Sequence, residues 1–170
     1  MSEMFATGEE KRKFNPVFLI GIVIGVLAVG AAIFYLAQKP SIEDQTQQIL
    51  DTAAKPGSPE FAELNKDIII ATNDNETIES PTGLGTISMF IKGQIRNKGT
   101  HDISVLEVNV SVVDRQKQVV KERRLLFVPG QHPVLKAGET VPVSLTLDGF
   151  DPKAERALIY WRVTAIKAAS

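Results

Sequence analysis

The sequence predicts an all-β sandwich carried behind a long apolar helix. Three observations predict it. From Lys66 onward apolar residues recur with a period of two. The alternating stretches are interrupted by turn chemistry such as Asn97-Lys98-Gly99 and Lys136-Ala137-Gly138. Near the start, 25 consecutive residues, Phe14 to Gln38, carry no formal charge. A period of two gives each strand one apolar face, and two such sheets bury those faces against each other. No alternation of strands with helices supports an α/β fold.

Residues 1–13 are polar and read as a cytoplasmic tail. Residues 14–38 read as a single transmembrane helix. Its apolar core, Pro16 to Leu36, is 21 residues long, and a bilayer core needs roughly 20 helical residues. In lipid the backbone must satisfy its own hydrogen bonds, which leaves helix as the conformation. A cleaved signal peptide competes, with small residues at Ala28-Val29-Gly30. However, the apolar run continues past them through Leu36.

Lys11-Arg12-Lys13 precedes the segment, whereas Lys39 and then Glu43 and Asp44 follow it. The positive-inside rule therefore expects an inner or plasma membrane protein, N-terminus cytoplasmic, C-terminal domain periplasmic or extracellular. Gly21, Gly25, Ala28 and Ala32 fall on one helix face. Small residues allow close backbone approach, so this face is a candidate for helix pairing and homo-oligomerisation.

Residues 39–64 read as a stalk of short helices. Ser41 is placed to cap a helix carrying Ile42, Ile49, Leu50 and Ala53, which Pro56-Gly57 ends. Ser58-Pro59-Glu60 starts another, with a cap, a proline at the first position and an acid in the first turn. Phe61 and Leu64 would dock it on the following domain. No heptad persists, which excludes a coiled-coil stalk.

Residues 65–170 read as the domain. Asp67–Thr72 is a short strand, and 73–85 a turn-rich connection. Ile87, Met89, Ile91, Gly93 and Ile95 share one side of a strand. Leu106, Val108, Val110 and Val112 do likewise, opposite Glu107, Asn109 and Ser111. Val119–Val128 follows, then Val141, Val143, Leu145 and Leu147, then Ala157, Ile159, Trp161, Val163 and Ala165. Pro142 cannot donate to a ladder, which marks an edge strand or bulge. Trp161 reads as core. The total is six to seven strands in an immunoglobulin/fibronectin-III-like β-sandwich.

The run Gly93-Gln-Ile-Arg-Asn97-Lys-Gly99, then Val110-Ser-Val-Val-Asp114, then Leu135-Lys-Ala-Gly138-Glu139 resembles the FxLYD domain family and related small bacterial immunoglobulin-like domains. Val110, Val112 and Val113 stand where that family has Phe, Leu and Tyr, and Ala137 stands where it has Pro. The resemblance covers Thr86 to Thr146 and implies a small β-sandwich at a bacterial envelope. The family is largely of unknown function, so no activity follows.

Candidate chemistry is sparse. There is no cysteine, which removes disulfides, thiolate metal sites and thiol nucleophiles. His101 and His132, the only histidines, fall short of the ligands zinc needs. No Gly-x-Ser-x-Gly elbow or phosphate loop is present. A net charge of −1 gives no field suited to nucleic acid. Lys121-Glu-Arg-Arg124 is the densest charge cluster and suits a protected strand edge. The apolar, proline-punctuated stretch 125–135 suggests a partner contact through Phe127, Val128, Pro129 and His132.

The sequence therefore leads to a non-catalytic, single-pass membrane module for protein binding or assembly, without cofactor or metal. An accessory subunit of an envelope complex is the alternative. A hydrolase or carbohydrate-active protein comes third, for want of catalytic residues.

Overall fold

A computed structural model describes residues 16–37 and 42–169, with side chains over 20–36 and 43–169. The expected tail over 1–13 and the expected cap Ser41 lie outside the described residues. The chain divides into two compact units, Met1–Glu43 and Asp44–Ser170.

In the first unit, α1 (Pro16–Ala37) is a 22-residue helix without a charge. Its described side chains, 20–36, are all exposed. Over those side chains no helix is long and apolar enough to cross a membrane. The expected span over 14–38 therefore rests on the sequence.

The second unit holds α2 (Ile42–Asp51, from Asp44 onward), α3 (Pro59–Asn65) and the strands β1 (Ile68–Thr72), β2 (Ile78–Pro81), β3 (Ile87–Asn97), β4 (Ile103–Val113), β5 (Val119–Val128), β6 (Thr140–Phe150) and β7 (Leu158–Ala168). All named pairings are antiparallel. β3 is central to a four-stranded sheet, with β6 on one side and β1 and β2 in succession on the other. β4 is central to a three-stranded sheet between β5 and β7. As the period of two predicts, Met89, Ile91 and Ile95 turn inward from β3 and meet Leu106, Val108, Val110 and Val112 from β4. β6 pairs only with β3, so Pro142 does lie on an edge strand.

Three features differ from the sequence reading. β2 forms inside the stretch read as turns. All four of its residues are exposed and Pro81 ends it, so no apolar pattern announces it. The helices read as stalk belong, from Asp44, to the same compact unit as the strands. Ile49, Leu50 and Ala53 pack on Val105, Leu126 and Ala165, and Phe61 and Leu64 join the main core. Helices of 10 and 7 residues are marginal alone, so tertiary packing supplies their stability. Ser58 caps α3 as its sequence predicts, accepting from the Phe61 N–H at 3.2 Å.

The third difference concerns the proposed contact stretch. Phe127 and Val128 are both fully buried and so offer no partner surface. Leu106 pairs with Val128 and Glu107 with Leu126, which leaves Phe127 as the extra residue of a bulge. That bulge breaks the alternation and turns two consecutive residues into the core.

Candidate functional site

The residues expected to act at a surface do not converge on one. Gly21, Gly25, Ala28 and Ala32 are exposed on α1, and a methyl added at either glycine meets nothing within 4 Å. In the domain, Pro129 is exposed. His132 is half-buried, its ring stacked on Phe127 with centroids 6.3 Å apart and its Nε2 3.4 Å from Glu139 Oε1. Of the four residues 127, 128, 129 and 132, two are core and one packs on the core. Among the described residues no group of three His, Asp or Glu side chains is placed to hold a metal.

A different surface has a built polar site: the outer face of the three-stranded sheet. β4 is buried on both sides, because Glu107, Asn109 and Ser111 on its outer face are under 10% exposed. α2 covers the end of this face near Val105. Beyond it, neighbouring side chains cover β4. Thr164 donates its hydroxyl to Glu107. Asn109 Nδ2 donates to Glu122 Oε2 at 2.8 Å.

Register sets the centre of the site. Asn109 pairs across β4 with Arg124 on β5 and with Arg162 on β7. Directly paired residues point to the same face, so the two guanidiniums flank the carboxamide. Their strands stand about 10 Å apart, two strand spacings, within which both side chains can lean over β4. Both arginines are exposed, and among the described residues neither guanidinium has an ion pair or side-chain hydrogen bond. Lys55 and Pro56 wall the end nearest the helices, and the cleft so formed has a volume of about 430 Å³.

Strand alternation also explains the charge cluster at 121–124. Lys121 and Arg123 turn toward the open side between β5 and β6. The Lys121 ammonium lies 5.6 Å over the Phe150 ring, and Arg123 donates to the Thr146 carbonyl at 2.9 Å. Glu122 and Arg124 turn to the outer face. The cluster thus serves both a protected edge and the cleft. The sequence placed Asn109 only on the non-apolar side of its strand, and the arginines that face it there follow from strand register.

No family model matches the chain, and no curated protein matches it. Among solved structures it is similar to a crystal structure of a protein assigned as ApaA from Bordetella pertussis, with 18% identity, 59% of this chain and 87% of that chain covered, and a TM-score of 0.31. A likeness of that degree carries no argument about function.

Proposed function

We propose that this protein is a single-pass membrane-anchored, non-catalytic binding or assembly module of the cell envelope, with an immunoglobulin-like domain of the FxLYD kind. The observation that carries the binding reading is the outer-face row Arg124–Asn109–Arg162, where two unpaired guanidiniums flank a buried carboxamide. A sandwich presents such a face rigidly, without chemistry of its own.

The anchoring reading is supported by 25 uncharged residues from Phe14 to Gln38 and by large apolar side chains exposed all around α1, which water does not favour. The basic run Lys11-Arg12-Lys13 supports a cytoplasmic N-terminus and an external domain.

Protease treatment of spheroplasts tests the topology: cleavage within 44–169 with the N-terminus protected is expected, and the reverse pattern overturns it. Crosslinking in membranes followed by detergent extraction tests the module itself. A protein partner lost on Arg124→Glu is expected; no crosslinked partner overturns the reading. The accessory-subunit reading is favoured by the exposed Gly21, Gly25, Ala28, Ala32 face and gains if a partner co-purifies in fixed ratio through α1.

A further inference from the structure

Asn109 is 5% exposed and lines the outer-face cleft. Its Nδ2 is spent on Glu122, and its Oδ1 is buried without a donor among the described residues. Turning the amide over would set Oδ1 against the Glu122 carboxylate, so the orientation is fixed. One unused acceptor therefore lies beneath the cleft, closed off from solvent, and two arginines without anionic partners stand on either side of it. Arg124 and Arg162 outnumber the one carboxylate in the lining, Glu122, which Asn109 already holds, while the third cation there, Lys55, is paired with Asp51 at 3.5 Å.

We propose that this cleft binds a carboxylate that carries a hydrogen-bond donor one carbon away, the chemistry of an acylated amino acid or a peptide C-terminus. The carboxylate sits between the Arg124 and Arg162 guanidiniums, whose paired N–H groups match it. The amide N–H of the same residue donates to Asn109 Oδ1 once the side chains over that atom part. Neither group suffices alone: a bare anion leaves Oδ1 unsatisfied, and a neutral amide leaves the guanidiniums unpaired. The inference rests on the domain being a binding module and names what it binds.

The test is calorimetric titration of the full chain in detergent, at low salt, with three probes: an N-acetylated tetra-alanine peptide as the free acid, the same peptide amidated at its C-terminus, and N-acetylalanine. The free acid is expected to bind at least about tenfold more tightly than the amide, and Arg124→Gln or Arg162→Gln to weaken it by about tenfold each. Arg96→Gln, on the other sheet, is expected to leave binding unchanged. A shift of the Asn109 side-chain amide resonances on titration locates the site. Tighter binding of the peptide than of N-acetylalanine assigns a polypeptide end; equal binding assigns a small acylated amino acid. Equal binding of acid and amide, indifference to both arginine substitutions, or no heat at about millimolar peptide overturns the proposal. A crosslinked partner that survives those substitutions would leave the binding-module reading standing while this one fails.

Discussion

The Trp161 indole N–H donates to Thr72 Oγ1 at 2.9 Å, joining β7 of one sheet to β1 of the other. The ring packs against both main apolar clusters, so one side chain ties the sheets by contact and by hydrogen bond. Thr72→Val keeps the shape and removes the acceptor. It is expected to lower stability by about 1–2 kcal/mol, the cost of an indole left unpaired. Urea unfolding followed by the fluorescence of Trp161 measures it; an unchanged midpoint would show that water replaces Thr72 freely.

Gly93 makes that tryptophan's position achievable. A methyl there would stand 2.7 Å from the Ala71 carbonyl oxygen and 3.3 Å from Trp161 Cζ2. The first obstacle is backbone of the paired strand β1, which cannot rotate aside. Gly93→Ala is expected to cost about 1–3 kcal/mol and to perturb near-UV dichroism from Trp161. A stable variant with an unaltered tryptophan signal would contradict this account.

Phe127, fully buried at the β5 bulge, contacts the centre of the main core. Phe127→Ala is expected to cost about 3–5 kcal/mol, whereas Pro133→Ala, at an exposed position of the same stretch, should leave the melting temperature near that of the parent. Similar melting temperatures for the two variants would return the stretch 125–135 to the surface.

Glu76 and Lys92 form an ion pair at 2.7 Å that holds the turn after β1 against β3. The hydrogen bond from Lys92 lowers the Glu76 carboxyl pKa below its ordinary 4.5, its charge adds to the effect, and Asn73 contributes a further bond. A carboxyl whose pKa falls on folding stabilises the fold above its unfolded value. That contribution disappears as pH falls through the lowered folded value. Carbon-detected titration of Glu76 should show the depressed midpoint, and Lys92→Met should raise it. Identical midpoints in the two proteins would remove Lys92 as the cause. The pair is exposed, so global unfolding should respond little.

The sequence disclosed what periodicity encodes. β3, β4 and β6 alternate cleanly because each has one face in the core, and Pro142 disclosed an edge because proline cannot donate. Asn97, one of the residues carrying the family resemblance, proves structural. It is buried, donates to the His101 carbonyl at 2.8 Å and accepts from the Gly99 N–H at 2.9 Å. What stayed hidden depends on pairing between distant residues. A bulge inverted the expectation for Phe127 and Val128, and no local pattern announces a bulge. The docking of α2 depended on Val105 and Ala165, far along the chain. The Arg124–Asn109–Arg162 row exists only once register across three strands is known.

The segment after α2 clips onto the outer edge of β7. Ala54 N–H donates to the Ile166 carbonyl at 2.8 Å, and Ile166 N–H donates back to Ala54 at 3.0 Å. Consider the domain under load. A pull on the chain from residue 44 reaches α2 and this two-bond clip before it reaches any strand of the sandwich. Two bonds should peel well before the long β4–β7 ladder shears. Single-molecule stretching from the N-terminal side is therefore expected to show a small early release and then the main rupture, and Ala54→Pro should abolish the first. Such a clip would let the tether lengthen under force while the sheets keep their shape, at the cost of drawing Lys55 and Pro56 away from the end of the cleft.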